Sequence, residues 1–255
     1  VSLPPRVSTR YQLPIDEERE LRILARQTWR FFEDFSTAEN NWLCPDNYQE
    51  FPGPKVSDKT SPTNIGMQLL SALSACDFGY ITLAELVEHC DNVLRTIQRL
   101  PKWNGHLYNW YFVGSLELVW PNYVSVVDSG NFLTSLIALK NGLLDLSRKT
   151  LFDARLEQGA RDTLAAGGLN PDILQGSLAD EQEQERFFAS LKDAAARPEL
   201  DSYYTNRIAD FADTLKNMLA EYAAPSGFDP DLSLYDLAKL EQPAAVELLN
   251  LIRSI

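Results

Sequence analysis

Metal and thiol chemistry have little to work with in this chain: its 255 residues include two histidines and three cysteines. His89 and His106 stand apart, and no HExxH or CxxC supplies the further ligands that a zinc or iron site needs. No metal and no other cofactor is therefore expected. The chain also lacks a GxSxG elbow, a phosphate-cradling P-loop and a GxGxxG turn, so serine-hydrolase chemistry and nucleotide binding have no sequence support. Cys44, Cys76 and Cys90 form no even framework and read as free thiols used as small hydrophobes, in a reducing, cytoplasmic setting. Positive charge is scarce too. With 23 Lys and Arg against 36 Asp and Glu, the formal net charge is −13, which argues against nucleic acid and anionic membrane as partners. A neutral ligand such as a sugar is indifferent to that balance. No run approaches the roughly 20 apolar residues of a membrane span. The opening Val1-Ser-Leu-Pro-Pro carries no signal peptide and reads as the start of a piece of a longer parent.

What is present is ordinary globular material, 45% hydrophobic and 23% charged, arranged in helical periods. Residues 1–16 are Pro-rich and read as an extended linker. From Glu17 to about Ser36, Leu21, Leu24, Ala25, Thr28, Phe32 and Phe35 recur at three and four residues and predict the buried face of a helix. A loop of more than twenty residues follows, 37–60. Ser61-Pro62 restarts a helix as N-cap and first-turn proline, and Gly79 ends it. Thr82-Leu-Ala-Glu85 is a capping box opening the next helix. A second long connection, 101–128, holds six Trp and Tyr residues and has a predicted β-hairpin near 106–120, around Gly114-Ser115. Another helix is expected from near Ser129, burying Leu133, Leu136, Ile137, Leu143 and Leu144. Residues 149–255 predict further helices near 151–166, 179–195, 202–223 and 231–254, a packing part of the same domain, with a turn at Pro225-Ser-Gly227. Glu181, Glu183 and Glu185 read as a solvated helix face. The expected class is all-α, built of antiparallel helical hairpins. Long loops alternating with a tight turn bring both aromatic-rich loops to one end of the stack.

Those loops carry the polar groups. Aromatic faces stack on the C–H face of a pyranose, while amides and carboxylates hydrogen-bond its vicinal hydroxyls, so the mixture suits a neutral sugar. The candidate substrate-binding residues are Asn47, Tyr48, Gln49, Glu50, Lys59, Thr63, Asn64, His106, Tyr108, Asn109, Trp110, Ser125, Asp128 and Asn131. The same features also serve structure: Ser61, Asp128 and Ser129 can cap helices, and the aromatics can roof the helix ends. His89 reads as a core-edge or surface residue. No catalytic residue stands out. If glycosidase chemistry were complete here it would need two carboxylates flanking the scissile bond, and Glu50 with Asp128 is the one pair to nominate.

Four stretches in order, Asp46-Asn-Tyr-Gln-Glu50, Thr60-Ser-Pro-Thr-Asn-Ile-Gly66, Gly105-His-Leu-Tyr-Asn-Trp-Tyr111 and Tyr123-Val-Ser-Val-Val-Asp-Ser-Gly-Asn131, resemble the glucoamylase-like middle region of cyclic β-1,2-glucan synthases. Stand-alone β-1,2-glucan-processing enzymes are more distant kin. The resemblance covers residues 17–148 and implies part of an (α/α)6-type barrel. It implies a parent that is a large inner-membrane protein with glycosyltransferase and phosphorylase-like modules, this region facing the cytoplasm and closing or trimming the glucan by transglycosylation or hydrolysis. Two departures stand out: Phe112-Val113 where the family usually has Asp-Thr, and Lys59 where it usually has Arg, which keeps the charge but loses the planar fork. The family's acidic motifs lie downstream of the matching region, and nothing like them precedes Ile255. About eight helices are expected against the twelve of a full barrel. The leading expectation is thus the substrate-binding part of a glucan-processing enzyme, inactive alone. Its partners would be β-glucan or gluco-oligosaccharide and the other domains of the parent, and uncovered apolar edges would favour self-association. The alternatives are a non-catalytic glucan-binding or assembly module and a ligand-free helical scaffold.

Overall fold

The computed structural model describes residues 13–222 and 229–255, so most of the expected linker and the turn at 225–227 lie outside the described residues. The chain is mainly helical. α1 (Ile15–Phe35) begins two residues before the expected Glu17, with Asp16, Glu17 and Glu18 where the helix end's partial positive charge favours them. α2 (Pro62–Phe78) starts as its residues dictate: the Ser61 hydroxyl accepts the Asn64 N–H at 3.2 Å, and Gly79 closes the helix at φ 79°. In α3 (Leu83–Arg99) the Thr82–Glu85 capping box is formed in both directions, at 3.2 and 2.7 Å, a cap that contributes about 1 kcal/mol. α4 (Val126–Leu146) starts three residues before the expected Ser129. Its cap is Ser125, whose hydroxyl accepts the Asp128 N–H, so neither Asp128 nor Ser129 is a cap. α5 (Ala154–Ala166), α6 (Glu181–Ala195), α7 (Ser202–Glu221), α8 (Leu234–Lys239) and α9 (Pro243–Ser254) follow close to their expected places.

α2 packs along α4, α1 along α5, α5 and α6 along α7, and α8 on α9. Two close approaches set this arrangement. A Cβ on Gly159 would meet the backbone carbonyl of Gly79, and one on Gly79 would meet that of Arg155, so α2 ends directly against the backbone of α5. A Cβ on Gly66 would come within 2.7 Å of the Ser135 hydroxyl, so two small residues let α2 and α4 draw together. One continuous core runs from Trp29 through Leu69, Leu86, Leu143 and Leu164 to Leu215 and Ile252. All three cysteines are buried free thiols, Cys76 and Cys90 within this core and Cys44 next to its Leu43; burial pushes each thiol up to about 12, which keeps it inert at neutral pH.

The structure corrects the buried faces of two helices. Leu21 and Leu24 of α1 are exposed, and Arg26 and Trp29 are buried in their place. That face is held by charge: Arg22 reaches Asp162 at 2.8 Å, and Arg26 pairs twice with Glu33, at 2.8 and 3.2 Å, and donates to Thr163 at 2.9 Å. The Arg26 guanidinium also lies over the rings of Tyr80 and Tyr204. In α4, Leu133 and Ile137 are exposed, while Ser135, Leu139, Leu143 and Leu146 turn inward against α2. With Met67 of α2, these leucines and isoleucine leave apolar side chains uncovered along α1, α2 and α4. No helix among the described residues is long and apolar enough to cross a membrane.

Candidate functional site

The two long loops meet at the helix end that carries the N-termini of α2 and α4. Three two-stranded pairings organise them. β1 (Tyr48–Gln49) pairs with β2 (Lys55–Val56) inside the first loop, and β4 (Lys102–Trp103) with β5 (His106–Leu107) inside the second. β3 (Lys59–Thr60) pairs antiparallel with β6 (Tyr111–Phe112), stitching the loops to each other. The hairpin expected near 106–120 is present in reduced form. Tyr111 bridges Leu118, and the Val119 N–H donates to the Trp110 carbonyl at 3.1 Å. The β4–β5 hairpin was not anticipated, although its turn is Asn104-Gly105, both at positive φ, the strongest short-range hairpin signal.

Beside these strands lies a chain of hydrogen bonds that joins several of the expected residues to Asp46 and Tyr123. The Thr63 hydroxyl donates to Asp128 Oδ1 at 2.6 Å and accepts from Asn131 Nδ2 at 3.2 Å. The Asn109 amide, 6% exposed, is oriented by its surroundings. Its nitrogen donates to Asp128 Oδ2 at 2.9 Å, and its oxygen accepts from Trp110 Nε1 at 2.6 Å and from the Tyr123 hydroxyl at 2.8 Å. Asn64 donates to Asp46 Oδ1 and Asn47 to Asp46 Oδ2, both at 2.8 Å. The network gives Trp110 and Asp128 fixed orientations on a rigid frame. Above it opens a cavity of about 560 Å³ lined by Asp46, Ser57, Lys59, Trp110, Val119, Trp120, Pro121 and Tyr123. Three aromatic rings, one carboxylate, one ammonium and a hydroxyl facing one space can stack on a sugar ring and grip its hydroxyls.

Lys59 and Trp110 therefore line the cavity, and Asn47, Thr63, Asn64, Asn109, Ser125, Asp128 and Asn131 build the frame under it. Tyr108 is half-buried, its N–H donating to the Tyr111 hydroxyl at 2.7 Å, a bond that holds the loop. Tyr48, Gln49, Glu50 and His106 do not line the cavity. Tyr48 stacks on Phe35, Gln49 bonds the Phe51 carbonyl, and His106 lies exposed in β5. Glu50 is exposed, and among the described residues no hydrogen bond joins it to Asp128 or to any other group. Asp46, Ser57, Trp120 and Tyr123 line the cavity in addition to the residues expected from sequence. Asp46 stands in the first motif and both aromatics in the second loop, but only the fold-back bonds, such as the Asn109 N–H to the Tyr123 carbonyl at 2.9 Å, place them beside Lys59.

Helical hairpins with a polar-aromatic cavity at the long-loop end are the class that this geometry defines. Over 135 residues, 52% of this chain, the sequence is 50% identical to cyclic β-(1,2)-glucan synthase NdvB of Rhizobium meliloti (strain 1021). The resemblance carried by the four motifs is thus a sequence similarity over half of the chain, and the matched stretch is 5% of that relative's length. No family model matches. Among solved structures, a Bacteroides fragilis NCTC 9343 protein described as a glucoamylase overlaps 75% of this chain and 49% of its own, at 14% identity and a TM-score of 0.42. An α-1,6-mannanase from a Salegentibacter species overlaps 94% of this chain and 77% of its own, at 12% identity and a TM-score of 0.30.

Proposed function

We propose that this chain is part of an (α/α)6-type barrel in a β-1,2-glucan-processing enzyme and supplies a substrate-binding face at the long-loop end. The observation that carries the reading is the cavity of Trp110, Trp120 and Tyr123 beside Asp46 and Lys59, set on the Thr63–Asp128–Asn109 frame. The sequence similarity to a cyclic β-1,2-glucan synthase supports β-1,2-linked glucose as the ligand. The uncovered apolar side chains of α1, α2 and α4 support a partial barrel whose remaining helices belong to the same parent. The proposed setting of that parent is a membrane protein, with this region at its cytoplasmic face.

In this reading the chain binds glucan and does not cleave it alone. Cleavage needs an acid at the leaving oxygen and a second carboxylate or activated water at the anomeric carbon, each held by a supporting shell. Asp128 is so held, whereas Glu50 is not. Calorimetric titration with β-1,2-gluco-oligosaccharides is expected to give saturable heat in the millimolar range and a raised melting temperature; absence of both refutes the binding reading. Incubation with linear β-1,2-glucan, followed by mass spectrometry, is expected to leave chain lengths unchanged. Changes that vanish in Glu50→Gln or Asp128→Asn would place catalysis in this chain.

A further inference from the structure

We propose that a second cavity, walled by α1, α3 and α7 and sharing no lining residue with the loop-end site, holds one neutral polyhydroxylated ring of pyranose size. Its volume is about 310 Å³, the small end of the range for ligand pockets, with room for a single ring rather than a chain. What sets it apart is a set of buried polar atoms that no neighbouring side chain satisfies. Trp29 Nε1 and Ser36 Oγ belong to residues 6% and 7% exposed, both line the cavity, and neither has a hydrogen-bond partner among the described residues. Arg207 Nε, on α7, has none among the described residues either. Native interiors leave few such groups unpaired, because each costs on the order of 1–3 kcal/mol.

The neighbouring groups do not absorb these donors. Glu33 is already taken by Arg26, at 2.8 and 3.2 Å, and by the Tyr203 hydroxyl at 2.6 Å. His89 adds a donor rather than an acceptor. The Gln68 amide is fixed by the Cys44 N–H on its oxygen and the Trp42 carbonyl on its nitrogen, so that nitrogen also donates to His89 Nε2 at 3.2 Å. Burial pushes His89 down to about 4, so the neutral ring keeps its one proton on Nδ1. The occupant called for accepts from the Trp29 and Arg207 N–H groups and exchanges hydrogen bonds with the Ser36 hydroxyl, and charge decides its kind. Two arginines face four carboxylates around the cavity, Glu33, Glu85, Glu88 and Asp210, which disfavours a phosphate or carboxylate ligand. Hydroxyl oxygens remain. The apolar walls, Phe32 and Trp42 beside the Trp29 ring, suit the C–H faces of a sugar or cyclic polyol.

The competing occupant is water, which satisfies donors equally well in a polar cavity. The two are separated by titrating the whole chain with glucose and following the five tryptophan indole N–H signals by NMR. Trp29 is assigned through single Phe replacements of the other four. The expected result is a saturable shift of the Trp29 signal, with its midpoint raised about fivefold in Ser36→Ala, the loss of one neutral hydrogen bond. A stationary Trp29 signal overturns the proposal and leaves a water-filled cavity, and a shift whose midpoint is unchanged by Ser36→Ala overturns it as well, because the sugar is then bound elsewhere. The Trp110 signal reports the loop-end site, so the two readings fail separately.

Discussion

Replacing Asp128 tests whether the frame under the cavity is what organises the loop-end site. Its carboxylate accepts from Thr63 at 2.6 Å and from Asn109 at 2.9 Å, bonds to a charged acceptor worth about 1.5–3 kcal/mol each. In Asp128→Ala the Thr63 hydroxyl can turn to another partner or to water. The Asn109 nitrogen, in a residue 6% exposed, cannot, because Trp110 and Tyr123 hold the other end of the amide. The net loss is therefore about 2–4 kcal/mol, or roughly 5–15 °C in melting temperature for a chain of this size. Asp128→Asn keeps an oxygen for Asn109 and presents an amide nitrogen to the Thr63 oxygen, so it costs about 1 kcal/mol. Gluco-oligosaccharide affinity follows the same order, since Trp110 is oriented through Asn109. Thermal melts and calorimetric titrations of both variants check this. Equal melting of the two variants, or an Ala variant that melts and binds like the parent chain, would refute the reasoning.

Trp110→Ala is expected to abolish gluco-oligosaccharide binding while lowering stability less than Trp29→Ala, which loses about 3–5 kcal/mol by opening the core; titration and melting of each variant separate the two roles. His89 gives a pH dependence of definite sign. Its folded value of about 4 lies below the ordinary 6.5, so the unfolded chain binds more protons as pH falls. Stability is fully present above about pH 6.5 and declines towards pH 4, by at most about 3 kcal/mol. Denaturant unfolding at neutral pH and near pH 5 should show that loss, and His89→Gln should reduce it. Gly159→Ala forces a methyl into the Gly79 carbonyl at the α2–α5 contact and should cost at least about 3 kcal/mol by chemical denaturation, with a normal melt sinking the close-packing argument.

Local chemistry was legible in the residues alone. Ser61-Pro62, Gly79 and the Thr82–Glu85 box mark helix ends within a residue of where they fall, because caps and breakers act on backbone groups beside them in the chain. The four motifs likewise pointed to the loops in which Trp110, Lys59 and Asp128 lie. Which helix face is buried was not legible at α1, where Leu21 and Leu24 have the right period but the wrong side. Periodicity says that a face is apolar and says nothing of what stands opposite it; the partners of Arg22 and Arg26 on α5 are more than 130 residues away. The same holds at the loop-end site. Asp46, Trp120 and Tyr123 join Lys59 and Trp110 only because β3 pairs with β6 and the second loop folds back on itself. Sequence by itself determined the helices, most of their ends and the residue types gathered in the loops. Tertiary structure alone decided which of those residues share a cavity, because hydrogen bonds between segments distant in the chain set that geometry and leave no periodic trace.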